Sequence, residues 1–142
     1  MLSREARLMA GITLLTVPTI MYGGVTLLGI LTGNEAGLAP PNLELNETQR
    51  ALFRAGHAHA GVLVILSLVM QILLDSANLP TGMKWLARIT APLAAICISG
   101  GFFGLAFVPS FRWLLYLGAV LLVVALVVTG VGLLRKTVQS NF

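Results

Sequence analysis

The sequence predicts an all-α fold, an integral membrane four-helix bundle, on three observations. Hydrophobic residues make up 57% and charged residues 10% of the 142 positions, whereas about a quarter of the residues of a soluble domain are charged. The apolar residues gather into four segments, 8–31, 51–74, 86–108 and 113–134, each as long as the roughly 20 residues that cross a hydrocarbon core of about 30 Å. Nearly all charged residues fall between these segments, Arg54 and Arg88 lying just inside their ends. Helices are expected because backbone groups in lipid must be paired within their own segment, and each run is about twice the length of a barrel strand. The chain therefore reads as a single transmembrane domain of four helices whose first partner is the lipid bilayer.

The formal charge of +4 does not point to nucleic acid, because the basic residues are scattered at segment ends and form no patch. They carry topology instead. Arg4, Arg7, Lys84, Arg88, Arg135 and Lys136 flank one side, and Arg50, Arg54 and Arg112 the other. The excess predicts a multi-pass protein of the cell membrane with both termini in the cytoplasm. The lone Cys97 has no partner for an internal disulfide and reads as a small packing residue.

The first segment follows a basic N-terminus as a secretory signal would, but its apolar run exceeds a signal core of about 7 to 15 residues, so it is expected to stay as a span. Pro18 in its middle predicts a kink, with threonine hydroxyls at Thr13, Thr16 and Thr19 available for freed carbonyls. Tyr22 is a candidate hydrogen-bonding group facing a cavity. The long connection 32–49 contains Pro40-Pro41 and is expected to fold over the mouth of the bundle as a lid, with Leu43 and Leu45 packing down. Asn46 or Thr48 is the expected N-cap of the second helix. The two later connections, 75–85 and 109–111, are short and predict antiparallel neighbours. In the third segment Gly100, Gly101 and Gly104 suit close helix approach. The fourth, almost purely aliphatic, reads as a wall facing lipid or another subunit.

The second helix holds both histidines, His57 and His59. At about 100° per residue they stand roughly 200° apart, so they cannot grip one ion together. The i, i+4 pair of a helical zinc site is absent. Gln71 shares the face of His57, with Arg54 nearby, and this polar face is expected to point inward. His59, with Gly56, Val62, Leu63 and Met70, would then face another helix, another subunit or lipid. Asp75 reads as an interfacial end cap. Of the two histidines, His57 is the one expected to be functional.

The run Arg54-Ala55-Gly56-His57-Ala58-His59 resembles the H-x-H helices of the haem-copper oxidase catalytic subunit, in which neighbouring histidines ligate two haems on opposite sides. It is still more similar to small bacterial four-helix membrane proteins with an R-x-x-H-x-H second helix. The resemblance implies haem or copper bound through His57 or His59, in an electron-transfer or accessory role. A second ligand would come from Met21 or Met70, or from a symmetry-related chain. An oxidase subunit uses six histidines over twelve helices, so oxygen reduction and proton pumping are not implied for a chain with two. Arg50, Arg54, Ala55 and His57 also resemble the opening of the R-A-H-x-N-x-x-E pattern of the trimeric enzymes of eicosanoid and glutathione metabolism, but His59 and Val62 stand where its Asn and Glu should be. Three functions follow as expectations: a haem or metal protein, a small membrane enzyme, or a structural or accessory subunit of a membrane complex without a cofactor. Glycine-rich faces on the first three helices favour a homo-oligomer.

Overall fold

The computed structural model describes residues 1–40 and 43–135; Pro41 and Lys136, used above, lie outside them. Four helices follow in order: α1 (Arg4–Leu31), α2 (Glu47–Ser76), α3 (Thr81–Leu105) and α4 (Arg112–Leu134), with a 3-10 turn at Pro109–Phe111 leading into α4. All four are long and apolar enough to cross a membrane. The fold is the all-α, membrane-spanning four-helix bundle that the apolar runs predict.

Helix ends depart from the apolar runs where capping decides them. Ser3 caps α1, its hydroxyl accepting the Ala6 amide, so the helix starts ahead of the apolar run. Asn46 caps α2 in a reciprocal box with Gln49, which pushes that start back to Glu47. Helix α3 begins directly after Pro80 and stops at Leu105, short of the predicted end, because the amides of Phe107 and Val108 both turn back to the Gly104 carbonyl. In α1 the hydroxyls of Thr13, Thr16 and Thr19 donate to the carbonyls of Met9, Thr13 and Thr16. The carbonyl that Pro18 deprives of an amide is that of Leu14, so these threonines do not serve it as expected.

Consecutive helices are antiparallel neighbours, with α2 and α3 in the middle. Their core is built in layers: Leu63, Val64, Ala95 and Ile98, then Met70, Ala91 and Ala125, then Leu74, Ala77 and Ala87. Helix α1 leans on α2 and scarcely reaches α3, and α1 and α4 do not meet. The bundle is thus open along one flank. Helix α4 is more than an aliphatic wall: Gly118, Ala125, Thr129 and Gly132 are its buried residues, spaced to form one stripe against α3 and the loop that precedes it. A Cβ on Gly118 would stand 2.9 Å from the backbone nitrogen of Ile98, which is how closely the two helices approach.

The connection after α1 folds back along α1 in its first half. Gly33, Asn34 and Gly37 take positive φ, turning the chain so that the Leu38 amide meets the Val25 carbonyl at 3.0 Å and Asn34 meets Gly29 at 2.8 Å. Leu45 packs down and is buried, while Leu43 stays exposed, so only one of the two expected lid leucines is inserted. Gln49 then joins the start of α2 to the Ala106 carbonyl at the end of α3, at 2.9 Å.

Candidate functional site

The stripe that α2 turns inward is Gly56, Leu63, Val64, Ser67, Met70, Gln71 and Leu74. Gln71 is fully buried, but Arg54 is exposed, which corrects the expectation that Arg54 shares an inward face. The physical reason is position. Arg54 sits near the N-terminal end of α2, where its charge stays at the surface without entering the core, whereas small and branched apolar residues pack against α3. Met70 is 2% exposed between Ala91 and Ala125 and cannot reach a ligand at either histidine. Tyr22 is exposed on the outer face of α1, so it faces no interior cavity.

The two histidines lie on different flanks. His57 is half-buried against α1: a Cβ on Gly24 would be 3.1 Å from its Nε2 and 3.0 Å from its Cε1, so glycine is what lets the ring sit there. Met21 lines the same shallow cleft. His59 is exposed on the other flank, its ring beside that of Phe102 with centroids 4.8 Å apart. Its Nδ1 lies 2.7 Å from the Ala55 carbonyl oxygen. A carbonyl can only accept, so Nδ1 holds the proton and the Nε2 lone pair faces outward. Of the residues shared with the glutathione-family pattern, Arg50 is turned back to the Leu45 carbonyl, Arg54 is exposed and His57 faces α1.

The densest polar assembly is at the opposite end, and the sequence reading missed it. Arg88 of α3, 2% exposed, pairs with Asp75 of α2, and its Nη1 donates to the Gln71 backbone and side-chain oxygens at 3.0 and 3.1 Å. Asp75 also accepts the Ser3 amide and hydroxyl at 2.8 and 2.7 Å, bringing in the start of α1. Gln71 Nε2 in turn donates to the Arg88 carbonyl at 3.1 Å. That carbonyl is the one left without a helical donor by Pro92, four residues on. The signal was present as an arginine at an expected interface and a proline one helical turn away. Asp75 is therefore a junction of three helices, where an end cap was expected.

Among the described residues no three histidine, cysteine, aspartate or glutamate side chains converge as a metal site would require. A copper centre held by several ligands of one chain does not fit this donor set. A single axial imidazole does fit His59. No family model, curated protein or solved structure matches the chain.

Proposed function

We propose that the protein is a haem-binding component of membrane electron transfer, assembled from two copies, with His59 as the axial ligand. The observation that supports this most is the His59 ring itself. Metal-bound histidines characteristically give their second ring proton to a carbonyl or carboxylate, which fixes the tautomer and raises the basicity of the ligating nitrogen. The Ala55 carbonyl does this for His59 before any ligand arrives. Phe102 holds the ring plane, and Val62, 65% exposed, leaves an apolar surface beside it. His57 is less suited, since its Nε2 faces the backbone of α1 at Gly24. When bound, haem would supply a one-electron couple tuned by its axial ligands; the chain's part is to orient the imidazole through Ala55 and Phe102.

The second ligand comes from the symmetry-related His59, because Met70 lies in the core and Met21 lies on the His57 flank. Orientation follows the same reading. Ser3 and the last turn of α4 are at one end, both near the loop after α2. Arg88 is committed to Asp75, so among the described residues Arg4, Arg7, Lys84 and Arg135 carry the cytoplasmic assignment of that end against Arg50, Arg54 and Arg112.

The test is a haemin titration of protein purified in mild detergent, followed by visible absorption. Wild type and His57→Ala should show a Soret band, and His59→Ala should lose it. A chain that takes up no haem, or whose band survives His59→Ala, removes the proposal and leaves an accessory subunit without a cofactor.

A further inference from the structure

Where the first turns of α1 and α3 come together with the end of α2, a cavity of about 370 Å³ is lined by Ser3, Glu5, Asp75, Lys84, Trp85 and Arg88. Four of these side chains are charged, and two of them, Arg88 and Asp75, pair with each other. The other two do not meet. Among the described residues the Glu5 carboxylate joins no ion pair or hydrogen bond, and the Lys84 ammonium has only the Asp75 carbonyl, at 3.4 Å. Met1 borders the cavity but is wholly exposed, so its charge is screened by water. The cavity therefore presents one cation and one anion, each half-buried and each short of a partner.

The same two helix faces continue into a second space. On α3, Trp85 and Arg88 of the cavity are followed by Pro92 and Ile96 of a neighbouring cleft, and on α1, Glu5 is followed by Met9, Ile12 and Thr16; all the steps are of three or four residues, which keeps each series on one face. Because α1 scarcely reaches α3, this cleft stays open, with a volume of about 310 Å³. Its lining is mostly apolar and carries no charged residue. Its threonines already give their hydroxyl protons to carbonyls of their own helix. From Met9 to Ile20 the cleft runs about 16 Å at 1.5 Å per residue, about half of a hydrocarbon core of about 30 Å, which is the depth of one leaflet. Lys84 and Trp85 are residues of the kind that sit at the membrane interface, so the charged cavity lies at headgroup level and the apolar cleft below it. This pairing fits a phospholipid, and the charges select its head. An anionic head would meet the Glu5 carboxylate with Lys84 alone to balance it, and a choline head has no N–H to donate to Glu5. We propose that the seam between α1 and α3 holds a zwitterionic phospholipid with a primary ammonium, a phosphatidylethanolamine, its phosphate on Lys84, its ammonium on Glu5 and one acyl chain in the cleft. The site is independent of His59.

The experiment titrates delipidated protein in mild detergent with dioleoyl phosphatidylethanolamine, phosphatidylcholine or phosphatidylglycerol and counts the lipid retained per chain by native mass spectrometry. The ethanolamine lipid should bind saturably, one per chain, about tenfold tighter than either of the others, the worth of one hydrogen bond to a charged group. Glu5→Gln should erase that preference by weakening the ethanolamine lipid to the level of the choline lipid. Lys84→Gln should weaken both of these lipids about tenfold, and Glu44→Gln, which alters an exposed carboxylate ahead of α2, should leave all three unchanged. Free phosphoethanolamine at the concentration of the lipid should not displace it, because the acyl chain is part of the contact; displacement would overturn the lipid as occupant. Equal retention of the three lipids, preference for the glycerol lipid, or an ethanolamine preference that survives Glu5→Gln in a variant with the wild-type helical spectrum overturns the proposal.

Discussion

Gln71 and Pro92 form a pair that neither residue explains alone. Proline in α3 strips the Arg88 carbonyl of its helical donor, and the buried amide of Gln71, reaching across from α2, supplies a replacement at 3.1 Å. The same amide accepts from the Arg88 guanidinium, so one side chain compensates for a proline and holds a buried cation that also pairs with Asp75. Replacing Gln71 by leucine should destabilise the protein by about 1–3 kcal/mol although it adds apolar bulk to an apolar core, because the buried Arg88 carbonyl loses its partner and the Arg88 guanidinium one of its acceptors. Adding Pro92→Ala should recover part of that loss by returning an amide to Arg88. Thermal unfolding of the two single variants and the double variant in one detergent measures the coupling. Additive effects would mean that Gln71 does not stand in for the missing amide.

At the scale of elements, α4 is held by its smallest residues. Gly118, Ala125, Thr129 and Gly132 are its buried positions, and the aliphatic side chains between them face outward. In lipid, apolar bulk gains nothing by leaving one hydrocarbon environment for another, so association depends on close backbone approach. Gly118→Val should therefore cost about 1–3 kcal/mol, the penalty of overpacking, since a Cβ there already meets the Ile98 nitrogen at 2.9 Å. Val120→Ala, on the exposed side, should shift the unfolding temperature little. Helix number, order and antiparallel pairing were legible in the sequence because bilayer thickness and short connections dictate them. The inward face of α2 was not. Polarity near Arg54 suggested one face, while the packed stripe runs through Gly56, Leu63 and Met70, since small and apolar residues decide contact with α3. The separation of His57 from His59 was readable from helical geometry alone. The Ala55 clamp was readable only in principle, as a carbonyl four residues before His59, because nothing in composition selects the rotamer that makes the bond.

For the whole molecule, the proposal turns on stoichiometry. Among the described residues no second ligand stands near the outward imidazole of His59, so under this proposal a six-coordinate haem would be completed by another copy. Two-fold symmetry would place the same surface of α2 and α3 on both sides of the macrocycle, each copy contributing a His59 and a Phe102. The expected result is about one haem for two chains, with a low-spin bis-histidine spectrum, and a dimer whose stability rises with haem by mass action. Mass measurement of the detergent-solubilised protein across a haemin titration tests this directly. One haem per chain, with a high-spin spectrum, would mean that His59 binds alone and that the outward flank of α2 is not a dimer seam. A dimer that forms equally without haem would place the seam elsewhere, and the open side left by the separation of α1 from α4 would then be the surface to examine by cross-linking.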